Sequence, residues 1–191
     1  MEKLKNHKGQ NSTLVLRPAD ATETTVAWKM ALENTSTPSA LILSRQNIKN
    51  LPVQGDAYES ALQAAKGAYV VSAPEGTPDI VLLASGSEVA TLVDGAAILA
   101  KEGIKAQIVS VPSEGLFRNQ TKEYQNSVLP IGVPRFGMTA GLPVTLEGLV
   151  GENGKVWGLE SFGFSAPYTV LDNKLGFNGE NVVKQVKEIL A

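Results

Sequence analysis

The chain has 191 residues, of which 43% are apolar and 19% charged, and its formal net charge at pH 7 is −2. This length suffices for one or two folded domains, and the apolar fraction argues against a disordered chain. A nearly neutral charge excludes the basic footprint of a nucleic-acid-binding protein. Cysteine is absent and histidine occurs once, as His7. Disulfides, thiol nucleophiles and cysteine-based metal sites are therefore excluded, and a Ser-His-Asp triad or a multi-histidine metal site has only this one histidine to draw on.

The N-terminal stretch, residues 1–13, is polar and shows no hydrophobic period. We expect it to be a lead-in to the folded part, with His7 as a solvated residue rather than a ligand or a base. Met1 is followed by charged residues instead of the apolar core of a signal peptide. Because no apolar run reaches the ~18 residues that a membrane span needs, we predict a cytoplasmic protein that binds neither membranes nor nucleic acids.

A strand–helix–strand unit is the first folded pattern along the chain. Two apolar runs, residues 14–16 and 40–43, flank a helical pattern that begins at Asp20. Glu23 follows Asp20 at the spacing of a capping box, in which two side chains bind the free amides of a helix N-terminus. The apolar runs are nearly unbroken, which predicts parallel strands that are buried on both faces.

Prolines and glycines are frequent in residues 48–78, which is typical of a linker between two folded units. Within this segment we predict a short helix over 61–66 and a short strand over 68–71. The second unit then begins with the pattern of a buried strand over 79–84.

The turn after that strand predicts a helix capped by Ser85, with Glu88 completing the capping box and Gly103 ending the helix. A strand over 106–111 completes a crossover, which implies parallel pairing. Further along, we predict a helix over 117–129, strands over 132–136 and 156–159, and a helix over 180–190, while residues 145–150 fit either kind of element.

Arg45 is the first candidate for a functional residue, because it directly follows the apolar run 40–43 and Ser44. Ligands of open α/β folds bind at the carboxyl ends of parallel strands, and the planar guanidinium fork donates two hydrogen bonds to a phosphate. The alternative is a structural arginine that pairs with an Asp or Glu at the strand end.

The turn at Gly86 is a second candidate, because the N-terminus of the following helix is suited to bind a phosphate. The sequence around it contains neither a GxGxxG motif nor a P-loop lysine. A tight turn without a ligand is therefore the alternative.

Aromatic residues near the C-terminus form either a stacking surface or ordinary packing and interface contacts. They are Trp157, Phe162, Phe164 and Tyr168. Three carboxylates in the same region show no spacing that pairs them, and we assign them no acid–base role. They are Glu147, Glu152 and Glu160.

Several strings along the chain occur in the order found in one enzyme family. They are LRPADATETTVAWKMAL, ALILSRQN, DIVLLASGSEVATLVDGAAILAKEGIKAQIVSVPS and GLESFGFSAPYTVLDNKLGFNGENVVKQVKEIL. Residues 14–191 closely resemble transketolase. The SRQN and ESFGxSAP strings favour transketolase over its relatives, deoxyxylulose-phosphate synthase and the ketoacid dehydrogenase E1 β subunits.

The resemblance implies an α/β fold made of two pieces joined by a linker. Residues 1–47 would be the remnant of the pyrimidine-binding domain, and residues 48–78 the linker. Residues 79–191 would be the transketolase C-terminal domain, a three-layer structure with a mostly parallel sheet and one antiparallel strand.

The resemblance also implies what the complete enzyme does. It would transfer a two-carbon ketol unit between phosphorylated sugars in the pentose phosphate pathway, using thiamine diphosphate and Mg²⁺ or Ca²⁺. It would be a homodimer with active sites at the subunit interface. Arg45 matches the arginine of SRQN, which in this family contacts the substrate phosphate.

Most of the family's catalytic apparatus is absent from the sequence. There is no GDG motif for the diphosphate, and the family's catalytic glutamate and substrate histidines lie upstream of the RPAD segment. We therefore expect no catalytic residue, no metal site and no cofactor on this chain alone.

These expectations leave three hypotheses. The first is an inactive C-terminal part that needs an N-terminal region or subunit. The second is a non-catalytic regulatory or dimerisation module, or the C-terminal subunit of a split transketolase. The third is an enzyme that acts by itself on a phosphorylated ligand through Arg45 and the Gly86 turn.

Overall fold

The structure, a computed structural model, describes residues 4–53 and 55–191. The first three residues of the predicted lead-in, including Met1, and Gln54 in the predicted linker lie outside the described residues. The strands are β1 (Leu14–Leu16), β2 (Ser39–Leu41), β3 (Tyr69–Ser72), β4 (Ile80–Ala84), β5 (Ala106–Ser110), β6 (Arg135–Met138) and β7 (Lys155–Trp157). The helices are α1 (Ala21–Glu33), α2 (Ala57–Ala61), α3 (Glu88–Lys101), α4 (Glu114–Arg118), α5 (Lys122–Val128), α6 (Val144–Val150), α7 (Tyr168–Leu175) and α8 (Gly179–Leu190), and a 3₁₀ helix over Leu62–Lys66 follows α2.

The predicted strand–helix–strand unit is present as β1, α1 and β2, and the two strands pair in parallel. Its capping box is confirmed: Asp20 Oδ1 accepts from the Glu23 amide at 2.8 Å, and Glu23 Oε2 accepts from the Ala19 amide at 2.8 Å. The prediction of strands buried on both faces is wrong here. Only Leu16 of the six strand residues is buried, because each strand of a two-stranded sheet has a single neighbour and an open outer edge.

A five-stranded sheet forms the centre of the rest of the chain, in the order β3-β5-β4-β6-β7. All its pairings are parallel except that of β3 with β5. Alternate residues of β4 face opposite sides of the sheet: Ile80 and Leu82 pack with α3 and α8, whereas Val81 and Leu83 pack with α4, α5 and α6. The predicted three-layer α/β fold with one antiparallel strand is therefore confirmed.

Strand β3 lies inside residues 48–78, which we interpreted as a linker. It pairs with β5 in the register Tyr69↔Ser110. The five-stranded sheet therefore begins at Tyr69, before the strand over 79–84 that was expected to open the second unit.

Several predicted elements are corrected by the structure. Ser85 does not cap α3, since the helix begins at Glu88 with Ser87 at the cap position. The helix predicted over 117–129 is two helices, α4 and α5. The side-chain amide of Gln125 donates to carbonyls at the end of α4 and beyond it, and Thr121 caps α5, so the chain breaks between them.

The remaining elements lie close to their predicted places, with two additions, α2 and α7. Strand β6 is shifted toward the C-terminus of the predicted 132–136, and the ambiguous residues 145–150 belong to helix α6. Helix α7 was not predicted, and none of its residues is buried. Over the described residues, no helix is long and apolar enough to cross a membrane.

Gly67 joins the 3₁₀ helix to β3 at a point of very close packing. Its φ of +88° is in the left-handed region, and its carbonyl accepts from the Ser113 amide at 3.0 Å. A Cβ at this position would lie 2.2 Å from Phe117 N and 2.4 Å from Ser113 O. Both atoms are backbone, so they cannot move aside as a flexible side chain would.

Gly67→Ala should therefore destabilise the fold by more than about 3 kcal/mol, because it adds a backbone clash to the cost of a left-handed alanine, about 1–2 kcal/mol. Gly76→Ala is the matched control, since Gly76 has a φ of +79° and nothing within 4 Å of its Cβ position. Urea unfolding of both variants measures the difference. Equal losses of stability would show that the close packing at Gly67 contributes nothing.

Candidate functional site

A cleft of about 840 Å³ lies between the N-terminal strand–helix–strand unit and the helices that cover the sheet. Its walls include residues 42–49, which follow β2, and residues 86–88, which follow β4. Helix α7 and the start of α8 form the other side. The cleft is thus at the carboxyl ends of parallel strands, where α/β folds bind their ligands.

Arg45 lines this cleft and its side chain is exposed. Among the described residues, no carboxylate pairs with its guanidinium and no hydrogen bond to it is found. The alternative of a structural arginine paired at the strand end is therefore not what the described part of the chain shows. An unpaired guanidinium fork at the edge of a cleft is available to an anion.

The turn at Gly86 also lines the cleft, but Arg17 occupies it. The Gly86 amide donates to the Arg17 carbonyl at 3.0 Å, and the Arg17 guanidinium donates to the Ser85 carbonyl and pairs with Glu88. Gly86 has a φ of +66°, and a Cβ there would lie 2.8 Å from Arg17 Cζ. The structure therefore supports the tight turn rather than an anion site at Gly86, which removes one of the two groups that a stand-alone enzyme would use.

Arg17 and Glu88 form an ion pair in the lining of the cleft. The exposed fractions are 23% for the Arg17 side chain and 7% for that of Glu88. Glu88 Oε1 accepts from the Ser87 hydroxyl at 2.8 Å. Burial, together with the nearby charge of Glu88, raises the pKa of the Asp172 carboxyl on α7.

A buried carboxylate network lies behind residues 42–49 and was not foreseen beyond its capping box. Besides the Glu23 amide, Asp20 accepts through Oδ2 from the Leu51 amide at 3.0 Å. Glu23 Oε1 accepts from the Tyr69 hydroxyl at 2.8 Å. Burial raises the pKa of Glu23, and burial and the Glu23 charge raise that of Tyr69. The network thus joins α1, the chain after the cleft segment, and β3.

The four aromatic candidates do not form one stacking surface. Trp157 packs against the core, and its indole N–H donates to the Leu175 carbonyl at 3.0 Å. Phe162 is 98% exposed and lies outside the cleft lining, whereas Phe164 and Tyr168 line the cleft. The aromatic ring contact found among the described residues is elsewhere, between Phe117 and Tyr124.

The other titratable candidates stay apart from the cleft. His7 is exposed in the N-terminal turn, and Glu147, Glu152 and Glu160 are exposed and do not line the cleft. Over residues 4–53 and 55–191, no three His, Cys, Asp or Glu side chains are grouped so as to hold a metal ion.

Comparison with known proteins identifies the family. Residues 67–178 match a family model described as the transketolase-like TK C-terminal domain. The chain belongs to the transketolase family. It is 43% identical to a transketolase of Staphylococcus aureus (strain MW2) over 176 residues, which are 92% of this chain and 26% of that protein. A transketolase of Bacillus subtilis (strain 168) is 42% identical over 193 residues, covering 100% of this chain and 28% of the relative.

The chain thus spans about a quarter of the length of these curated relatives and corresponds to the C-terminal part of a transketolase. The resemblance inferred from the sequence strings is confirmed.

Solved transketolases have the same fold. The transketolase of Leishmania mexicana superposes with a TM-score of 0.83 at 37% identity, over 94% of this chain and 25% of that one. A Pichia stipitis transketolase in complex with sedoheptulose 7-phosphate gives 0.81 at 34% identity, with coverages of 94% and 25%. A split-gene transketolase, solved as an inactive β4 tetramer, gives 0.73 at 20% identity, over 94% and 58% of the two chains. At this last identity the likeness concerns the fold alone.

Arg17→Met should destabilise this transketolase part by about 3 kcal/mol, because it leaves the Glu88 carboxylate buried without its partner. Adding Glu88→Gln should recover part of the loss, since the unpaired charge is then gone. Urea unfolding measures both.

Lys29→Met is the matched control for Arg17→Met. It breaks the exposed pair of Lys29 with Glu33, and exposed pairs of this kind contribute about 0.5 kcal/mol or less. If the two methionine variants lose the same stability, the Arg17–Glu88 pair does not hold the two units together.

Proposed function

We propose that this chain is the C-terminal part of an enzyme that transfers a two-carbon ketol unit between phosphorylated sugars, and that Arg45 binds the phosphate of the sugar. The observation that supports this role is the position of Arg45: exposed, without a partner among the described residues, and at the edge of a cleft. A Pichia stipitis relative binds sedoheptulose 7-phosphate, a ligand of the expected class.

The chemistry of a phosphate monoester suits this environment. A guanidinium donates two parallel hydrogen bonds to a phosphate, and such charge-assisted pairs are roughly twice as strong as neutral hydrogen bonds. Strand β2 ends at Leu41, and Arg45 follows it by four residues in the irregular segment that lines the cleft. Arg45 therefore binds and orients the sugar without taking part in bond making.

The reacting groups belong to the remainder of the enzyme. The described residues contain no metal-ligand cluster, and the sequence has no GDG motif. In the complete enzyme, thiamine diphosphate supplies the stabilisation of the carbanion, with Mg²⁺ or Ca²⁺ holding its diphosphate. The chain by itself is accordingly inactive.

The complete enzyme is a cytoplasmic homodimer in which a missing N-terminal region or subunit completes each active site. An open reading frame that continues upstream of Met1 and encodes GDG indicates one long chain. A separate neighbouring gene that encodes GDG indicates a split enzyme. Absence of both would favour the second candidate, a non-catalytic regulatory or dimerisation module.

The isolated chain should show no heat of binding with thiamine diphosphate and Mg²⁺ in isothermal titration, because it lacks the ligands of the diphosphate and the metal. Micromolar affinity for thiamine diphosphate would contradict the proposal that the cofactor is bound by the rest of the enzyme. A transketolase of full length, titrated under the same conditions, is the positive control.

Arg45→Ala should raise KM for phosphorylated sugars about 10- to 100-fold, the cost of one charge-assisted contact. Activity is measured on a graft in which this chain replaces the corresponding part of the Staphylococcus aureus relative. A folded graft that lacks ketol transfer would contradict the proposed function.

Lys49→Ala is the matched control on the same segment, because Lys49 is an exposed cation that pairs with Asp94. Its KM should stay within about twofold of the parent value, since exposed ion pairs contribute little. An unchanged KM for Arg45→Ala would remove Arg45 from the phosphate site.

A further inference from the structure

Residues 42–50, the Arg45 loop, cross the open side of the cleft without forming a helix or a strand. One end of the loop is fixed by the parallel pairing of β1 and β2, which continues as the Ile42 amide donates to the Leu16 carbonyl at 2.8 Å. The other end is fixed where the Leu51 amide donates to Asp20 Oδ2 at 3.0 Å. The position of Arg45 depends on both ends.

Asp20 holds the second end through a carboxylate that is itself fixed. Its Oδ1 accepts from the Glu23 amide at 2.8 Å as the N-cap of α1. The exposed fraction is 4% for Asp20 and 7% for Leu51. Because the carboxylate is buried and both oxygens have donors, a shift of either donor would leave a buried charged oxygen without a partner, at high cost.

The side-chain polar contacts that the loop makes among the described residues are at the surface. Lys49 pairs with Asp94, and both side chains are exposed. The Ser44 hydroxyl donates to the Gln46 carbonyl at 3.2 Å, which is a contact within the loop. Water competes with such contacts, so they restrain the loop much less than the buried bond does.

We propose that Asp20 is a positioning residue for Arg45. Its carboxylate ties the end of the Arg45 loop to the first turn of α1 and thereby fixes the distance over which the loop spans the cleft. The restraint should strengthen phosphate binding, because an arginine held in place loses less conformational entropy when it binds an anion. This consequence rests on the proposed function.

The variant that isolates this role is Asp20→Ser. Serine is as good an N-cap as aspartate and still accepts from the amides of α1, but its single short hydroxyl does not replace the second carboxylate oxygen at Leu51. Asp56→Ser is the matched control, since Asp56 caps α2 through one oxygen to the Glu59 amide at 2.9 Å and is exposed. Asp20→Asn, which preserves the volume, is the second variant in case the serine protein does not fold.

Hydrogen exchange of the Leu51 amide, together with the backbone order parameters of the Arg45 loop from NMR relaxation, decides the positioning role without reference to any ligand. In Asp20→Ser we expect exchange of the Leu51 amide to rise about tenfold and the order parameters of the loop to fall, with β4 and β5 unchanged. Asp20→Asn keeps one acceptor oxygen, so exchange should rise at only one of two amides, Leu51 or Glu23. If the Leu51 amide loses its acceptor, we expect the Arg45 loop to become more mobile as well. A loop unchanged when Leu51 has lost protection overturns the proposal, as does a uniform rise over the whole chain.

A titration with inorganic phosphate, followed on the side-chain N–H signal of Arg45, tests the link to binding. Asp20→Ser should weaken phosphate binding about three- to tenfold, and Asp56→Ser should leave it unchanged. In an Arg45→Ala background, Asp20→Ser should add no further loss. If the parent chain shows no phosphate response, the phosphate role under the proposed function fails, while the exchange result still decides whether Asp20 positions the loop.

Discussion

The buried carboxylates of Asp20 and Glu23 are the constraint on which the arrangement of this protein depends. Burying a carboxylate is costly unless donors surround it, and the donors here come from the start of α1, from Leu51 and from Tyr69 on β3. In the observed position of the N-terminal unit against the sheet, these donors satisfy both carboxylates together. Ala19, Val26 and Leu51 join the same apolar cluster as the sheet residues, so the polar and apolar contacts select the same docking.

That docking brings the carboxyl ends of strands from both units to one cleft. Arg17 closes the junction, because its backbone bonds to the Pro112 carbonyl and the Gly86 amide while its guanidinium pairs with Glu88. Arg17 thus takes the space beside Gly86 in the turn after β4. The cleft keeps Arg45 as an exposed cation with no partner among the described residues.

The distribution of chemistry agrees with a chain that spans about a quarter of its transketolase relatives. The single histidine and the absence of cysteine do not indicate an unusual mechanism. The five-stranded sheet gives this part a core of its own on both faces, on which the β1–α1–β2 unit is mounted.

The sequence alone determined the features whose signals are local: the β1–α1–β2 unit with its Asp20–Glu23 box, the buried strand β4, the helix after it, and the family through its ordered strings. It also singled out Arg45 by its place after a strand. Tertiary structure decided what local signals do not contain. Strand β3 belongs to the five-stranded sheet, and the Arg17 side chain occupies the space beside Gly86. Asp20 accepts from the Leu51 amide in addition to capping its own helix. The sequence pattern identifies a capping aspartate and hence its two acceptor oxygens. Which distant amide donates to the second oxygen depends on how the units pack.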